Sequence, residues 1–192
     1  MDIISISFAG ISIISIFVYY IIPPRYRRVF LTIMSCGFIL SYHYLLLLYV
    51  VLFSLMNFLI GKIIPDNPHS ANLFKMGLIL NLLQLVVLKY ATFVIDPLFG
   101  SLGSDIQVSK ISQWIIPLGI SYFTLQSIGY LVNIKMGWEK PERVYSDFLL
   151  YIIFFPKFVS GPIERSNHFI PQIKQPKQFN QQMVGEGVRL AL

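Results

Sequence analysis

The stretch FFPKFVSGPIER, Phe154 to Arg165, continues an apolar run, FLLYIIFF, and then interrupts it with prolines, a lysine, a glycine and a Glu-Arg pair. A helix that only anchors a protein has little use for these residues. Each proline removes a backbone donor, and each charge is costly in hydrocarbon. The stretch therefore predicts a broken or re-entrant element. Irregular backbone at membrane depth is tolerated only where protein buries it or where it lines a wet cavity, so a cavity or funnel is expected here.

The surrounding chain fits a bilayer. Its 192 residues are 55% hydrophobic and 12% charged, and the mean hydropathy is +0.67, well outside the range of a soluble domain. The net charge of +6 sits in short basic clusters beside apolar runs rather than along one polar face, which argues against nucleic acid. The single cysteine, Cys36, lies in an apolar run and reads as a packing residue; one thiol makes neither an intrachain disulfide nor a cysteine-based metal site. The opening segment has Asp2 in place of a basic n-region and no small-residue cleavage site, and reads as a retained helix. With no internal repeat and no long linker, residues 1–192 read as one membrane domain. The final GEGVRLAL, where an apolar run begins, suggests the front part of a longer protein.

Apolar blocks run from Ile3 to Ile22, Val29 to Ile64, Leu73 to Ile95, Trp114 to Ile134 and Phe148 to Ile163. As one helix the second would be about 54 Å long, against about 30 Å of hydrocarbon, so it is predicted to be two elements divided near SYHY, Ser41 to Tyr44. With two spans there and the N-terminus outside, the basic PPRYRR and KMGWEKPER connectors both face the cytoplasm, as the positive-inside bias requires. The expected fold is all-α and polytopic. A fifth block that turns back keeps the tail bearing Arg165, Lys174, Lys177 and Arg189 on the cytoplasmic side.

The candidate chemistry is sparse. His43, His69 and His168 have no His or Cys partner at metal-ligand spacing; His43 reads as structural, His69 as solvated, and His168 lies near the expected cavity mouth. Ser160, before Gly161 and Pro162, is not in a GxSxG elbow and reads as a small residue permitting close backbone approach. Lys157 and Arg165 have two readings: a snorkelling lysine beside a Glu164–Arg165 interfacial pair, or positive charge at a cavity entrance for a phosphate or carboxylate. In WIIPLGISYFTLQSIGYLVN, Trp114 to Asn133, the small and hydroxylated residues suit close helix packing. Gln126 is the exception, because a buried amide needs partners.

The segment Ile116 to Ile173, with its PLGISYFTLQ and FFPKFVSGPIER blocks in order, resembles the signature region of the membrane-bound O-acyltransferases. It is most similar to the bacterial branch that acetylates exported polysaccharides such as alginate, which is related to the branch that moves D-alanine onto teichoic acids. SYHYLLLLYVVLFSLMNFLIG resembles that family's N-terminal helices. The resemblance implies a many-helix enzyme of the bacterial inner membrane with a funnel, of which this chain is the N-terminal portion. Acyl-CoA, with acetyl as the expected acyl group, is the implied donor, and polysaccharide hydroxyls are the acceptor, often through a cell-envelope acyltransferase partner. The family's catalytic histidine lies further along than this chain reaches, so no catalytic residue is assigned and the chain alone is expected to be inactive. Gln126, Pro156, Lys157, Ser160, Gly161, Pro162 and Arg165 are expected to line the funnel. A transporter or channel subunit, or an inert membrane fragment, is the alternative reading.

Overall fold

The structure, a computed structural model, describes residues 6–65, 68–100, 120–157 and 164–175, with the backbone alone at 6–9, 42 and 89–100. Among the described residues all regular structure is helical: α1 (Ile6–Ile21), a 3₁₀ turn (Pro24–Tyr26), α2 (Arg27–Tyr42), α3 (Tyr44–Ile63), α4 (Ser70–Gly100), α5 (Ile120–Lys135), α6 (Tyr145–Ile153) and α7 (Ser166–Lys174).

The long second block divides where its length required. His43 is extended (φ −165°, ψ 134°) and ends α2, and its Nδ1 accepts the Leu45 N–H at 3.2 Å to cap α3. An imidazole thus satisfies one of the backbone donors that a helix start leaves open. This gives His43 the structural role its setting suggested.

Among the described residues two helices are long and apolar enough to cross a membrane, Tyr44–Ile63 and the Ser70–Leu88 part of α4. Their outer faces present Leu48, Leu52, Leu59, Ile79, Leu83 and Val86, all exposed. An exposed apolar surface of this kind suits a lipid or protein neighbour. Polar side chains hold these helices together on the inner side. Asn81 Nδ2 donates to Asn57 Oδ1 and to the Gly77 carbonyl, both at 2.7 Å. The Tyr49 hydroxyl donates to Gln84 Oε1 at 2.7 Å, and Gln84 Nε2 donates to Thr124 Oγ1 at 3.1 Å. In lipid, where apolar side chains gain little by leaving their surroundings, such bonds and small-residue contacts carry helix association. Gly61 supplies one such contact, since a Cβ there would lie 2.6 Å from the Tyr130 ring on α5.

The fifth block does not continue as a span. α6 is nine residues, about 13 Å at the α-helical rise, and every residue from Asp147 to Ile153 is buried. A helix apolar around its circumference belongs in an interior. Here α2, α3, α5 and α7 enclose it. Phe148 packs on Phe58 and Tyr130, and Tyr151 on Phe169, with ring centroids 4.5–6.0 Å apart. After Ile153 the helix stops, Phe155 N–H is donated to Ser35 Oγ of α2 at 3.3 Å, and Pro156 follows. The predicted helix break is therefore present at residues 154–156, where Phe155 is buried against α2, Phe154 is half-buried and Pro156 is exposed.

Candidate functional site

Around the end of α6 the two cations named from sequence separate into different roles. The Lys157 ammonium forms an ion pair with Glu164 at 3.1 Å and lies 3.2 Å from the centroid of the Phe169 ring. Tyr151 and Phe154 lie further out, at 5.2 and 5.9 Å. Its charge is matched inside the protein by a carboxylate and aromatic faces. Glu164 thus pairs with Lys157, and not with Arg165 as one of the two sequence readings has it. The Tyr151 hydroxyl donates to the Glu164 carbonyl at 3.0 Å, fixing the chain at residue 164 beside α6. Arg165, extended and just ahead of α7, is exposed and makes no ion pair among the described residues.

Arg165 lines a cavity of about 230 Å³ with Gln126, Gly129, Asn133, Trp138, Tyr151 and Glu164. Two residues named from sequence, Gln126 and Arg165, therefore share one cavity although thirty-nine positions separate them in the chain. Gln126 is 1% exposed, and among the described residues neither its Oε1 nor its Nε2 has a hydrogen-bond partner. Pro156 lines a second, larger cavity of about 560 Å³ between α1, α2 and α7, which also reaches Glu164. Ser160, Gly161 and Pro162 lie outside the described residues. Among the described residues no three His, Cys, Asp or Glu side chains converge as a metal site needs. His69 is exposed in the turn before α4, and His168 is exposed on α7.

A carboxylate clamp under the cavity was not visible in the sequence. Glu139 Oε2 accepts from Ser166 Oγ and, at 3.3 Å, from Asn133 Nδ2. Glu142 Oε1 accepts the N–H groups of Arg143 and Val144, its Oε2 takes the Lys174 ammonium at 2.6 Å, and its own N–H goes to the Tyr130 hydroxyl. The connector 136–144 is thereby tied to both ends of α7. Spacing gives no signal for it, because the partners Ser166 and Lys174 lie more than twenty residues along the chain.

The clamp makes a pH prediction. Burial, reinforced by Glu142, pushes the Glu139 carboxyl up from its ordinary 4.5, against the hydrogen bonds from Ser166 and Asn133. Burial acts the same way on Glu142, but Lys174 and the two backbone N–H groups outweigh it and hold the carboxyl below 4.5. A raised group contributes stability that is lost as pH rises through its folded value; a lowered one contributes stability that is lost as pH falls below its ordinary value. Acidification towards 4.5 should therefore first tighten the clamp by protonating Glu139, then release it below 4.5 as Glu142 titrates. In a Trp114→Phe background, Trp138 emission should report both limbs. Glu139→Gln should abolish the upper limb and leave the lower.

No family model matches the chain, and no solved structure matches it. It is 26% identical over 159 residues to a probable alginate O-acetylase of Azotobacter vinelandii, covering 80% of this chain and 32% of that protein. It is 28% identical over 118 residues to a teichoic acid D-alanyltransferase of Lacticaseibacillus rhamnosus, covering 60% of the chain and 25% of the relative. With a peptidoglycan O-acetyltransferase of Helicobacter pylori it shares 30% identity over 123 residues, 52% of the chain and 23% of the relative. The chain spans about a third of the length of the alginate O-acetylases it matches. The resemblance read from its signature blocks is borne out: the chain is homologous to the N-terminal part of the alginate O-acetylases and related membrane-bound O-acyltransferases.

Proposed function

We propose that the chain forms the donor-admitting part of an enzyme that moves an acyl group, acetyl on this reading, from acyl-CoA to hydroxyls of an exported polysaccharide. The observation that carries the proposal is the cavity joining buried Gln126 to exposed Arg165. A guanidinium with no carboxylate partner, set at the start of α7 where the helix dipole favours negative charge, suits the phosphates of such a donor. The Gln126 end, about two helical turns further in along α5, suits the uncharged part that carries the acyl group.

On this reading the protein is a multi-pass protein of the bacterial inner membrane with its N-terminus outside. The basic connector 135–143 and Arg165 then share the cytoplasmic face, where acyl-CoA is found. The polysaccharide lies on the other side, and a cell-envelope acyltransferase is the fitting recipient of the acyl group. His43 is occupied as a helix cap, so residues 1–192 are assigned donor entry and not the transfer step, and by themselves should give no turnover.

Steady-state acetyl transfer by the full-length protein tests the proposal. Arg165→Ala should raise KM for the donor about tenfold with kcat nearly unchanged, the loss expected for one charge-assisted contact. Arg165→Lys should recover part of it, since an ammonium lacks the bidentate fork. Unchanged constants in both variants would remove Arg165 from the donor site.

A further inference from the structure

We infer that Gln126 recognises the amide groups of the donor's pantetheine arm, and that Gly129 keeps open the space that arm occupies. The inference rests on the acyl-CoA reading of the same cavity and adds the groups that read the ligand.

Three observations converge. Gln126 is buried at the cavity wall with its acceptor and its donor nitrogen both unpartnered among the described residues. A native fold retains such a group at a cost in stability, and a ligand that supplies both partners offsets that cost on binding. Gly129, one turn along α5 on the same wall, has nothing among the described residues within 4 Å of where its Cβ would lie. Close helix packing therefore does not explain this glycine, unlike Gly61; what its missing side chain leaves is room. At the mouth the cation is Arg165. A ligand complementary to the whole cavity is slender, carries N–H and C=O groups in its uncharged part, and ends in an anion. An arm bearing two secondary amides and leading to phosphates has this chemistry. Gln126 Oε1 would accept an amide N–H and Nε2 would donate to a carbonyl.

The role separates from a structural one because the two predict opposite changes in stability. In full-length protein in lipid nanodiscs, with a non-transferable thioether analogue of acetyl-CoA as probe, Gln126→Met should weaken binding about tenfold, the loss expected for unmade hydrogen bonds in a dry site. The same variant should raise the melting temperature, since it removes an unsatisfied buried amide without opening a void. Gly129→Leu should abolish binding and leave the melting temperature unchanged. An analogue N-methylated at the pantetheine amides should lose about as much affinity for wild type, and little further for Gln126→Met. Probe binding by Gln126→Met equal to wild type would overturn the inference while the acyl-CoA reading stood on the Arg165 variants. No binding of the probe by wild type would overturn both.

Discussion

Gly61→Leu should be the most damaging single change in the described structure, costing about 3 kcal/mol, the upper end of what overpacking a close contact brings. A Cβ at this position already falls 2.6 Å from Tyr130 Cε1, 3.0 Å from Ile134 Cδ1 and 3.1 Å from the Tyr130 hydroxyl. Tyr130 has nowhere to retreat, because it is fully buried with its ring 4.5 Å from that of Phe148. Its hydroxyl also takes the Glu142 N–H, so displacing it detaches the connector that carries the carboxylate clamp. Denaturant titration in detergent should show the loss, and Tyr130→Leu should rescue Gly61→Leu partially while being harmful alone. Additive costs would mean that the two helices do not meet at this point.

Arg28→Ala should cost roughly 2 kcal/mol. Removing one partner of a fully buried pair costs about 3–5 kcal/mol, and this pair falls lower because the Arg28 side chain is 45% exposed and already solvated. The penalty arises at Asp147, whose side chain is 3% exposed and 3.1 Å from the guanidinium. Its place in the first turn of α6 keeps some compensation from the helix dipole. Asp147→Asn should lose less than Arg28→Ala, because it removes the charge that needs a partner. If the two variants melt alike, the cost lies in arginine packing and not in a stranded carboxylate.

The features legible in the sequence were those set by length and by composition inside apolar runs. The break at His43 followed from a block too long for a bilayer, and the stop after Ile153 from prolines and charge in an apolar context. The signature blocks carried the kinship. Gln126 stood out as an amide among small residues, and the structure leaves that amide buried and unpartnered. What stayed hidden depended on distant parts of the chain. Lys157 and Arg165 look alike in sequence; only the arrival of Phe169 and Glu164 beside the lysine separates them. The clamp of Glu139 and Glu142 on α7 was hidden for the same reason. The pairings of Asn57, Asn81 and Gln84 are equally invisible in sequence, because their partners lie on other helices.

Those amide bonds also restrict how the molecule can move. Asn57 with Asn81 and Tyr49 with Gln84 link α3 to α4 at two heights, and Gln84 with Thr124 links α4 to α5. Sliding α4 along its axis by a single residue, about 1.5 Å, would strain these pairings together, and a full turn of about 5.4 Å would leave amides stranded in a dry interior. The three helices therefore act as a fixed rail, and piston-like travel of α4 is closed to the protein. α7 with its connector lies outside this rail and is held instead by the carboxylates of Glu139 and Glu142, through Ser166 and Lys174.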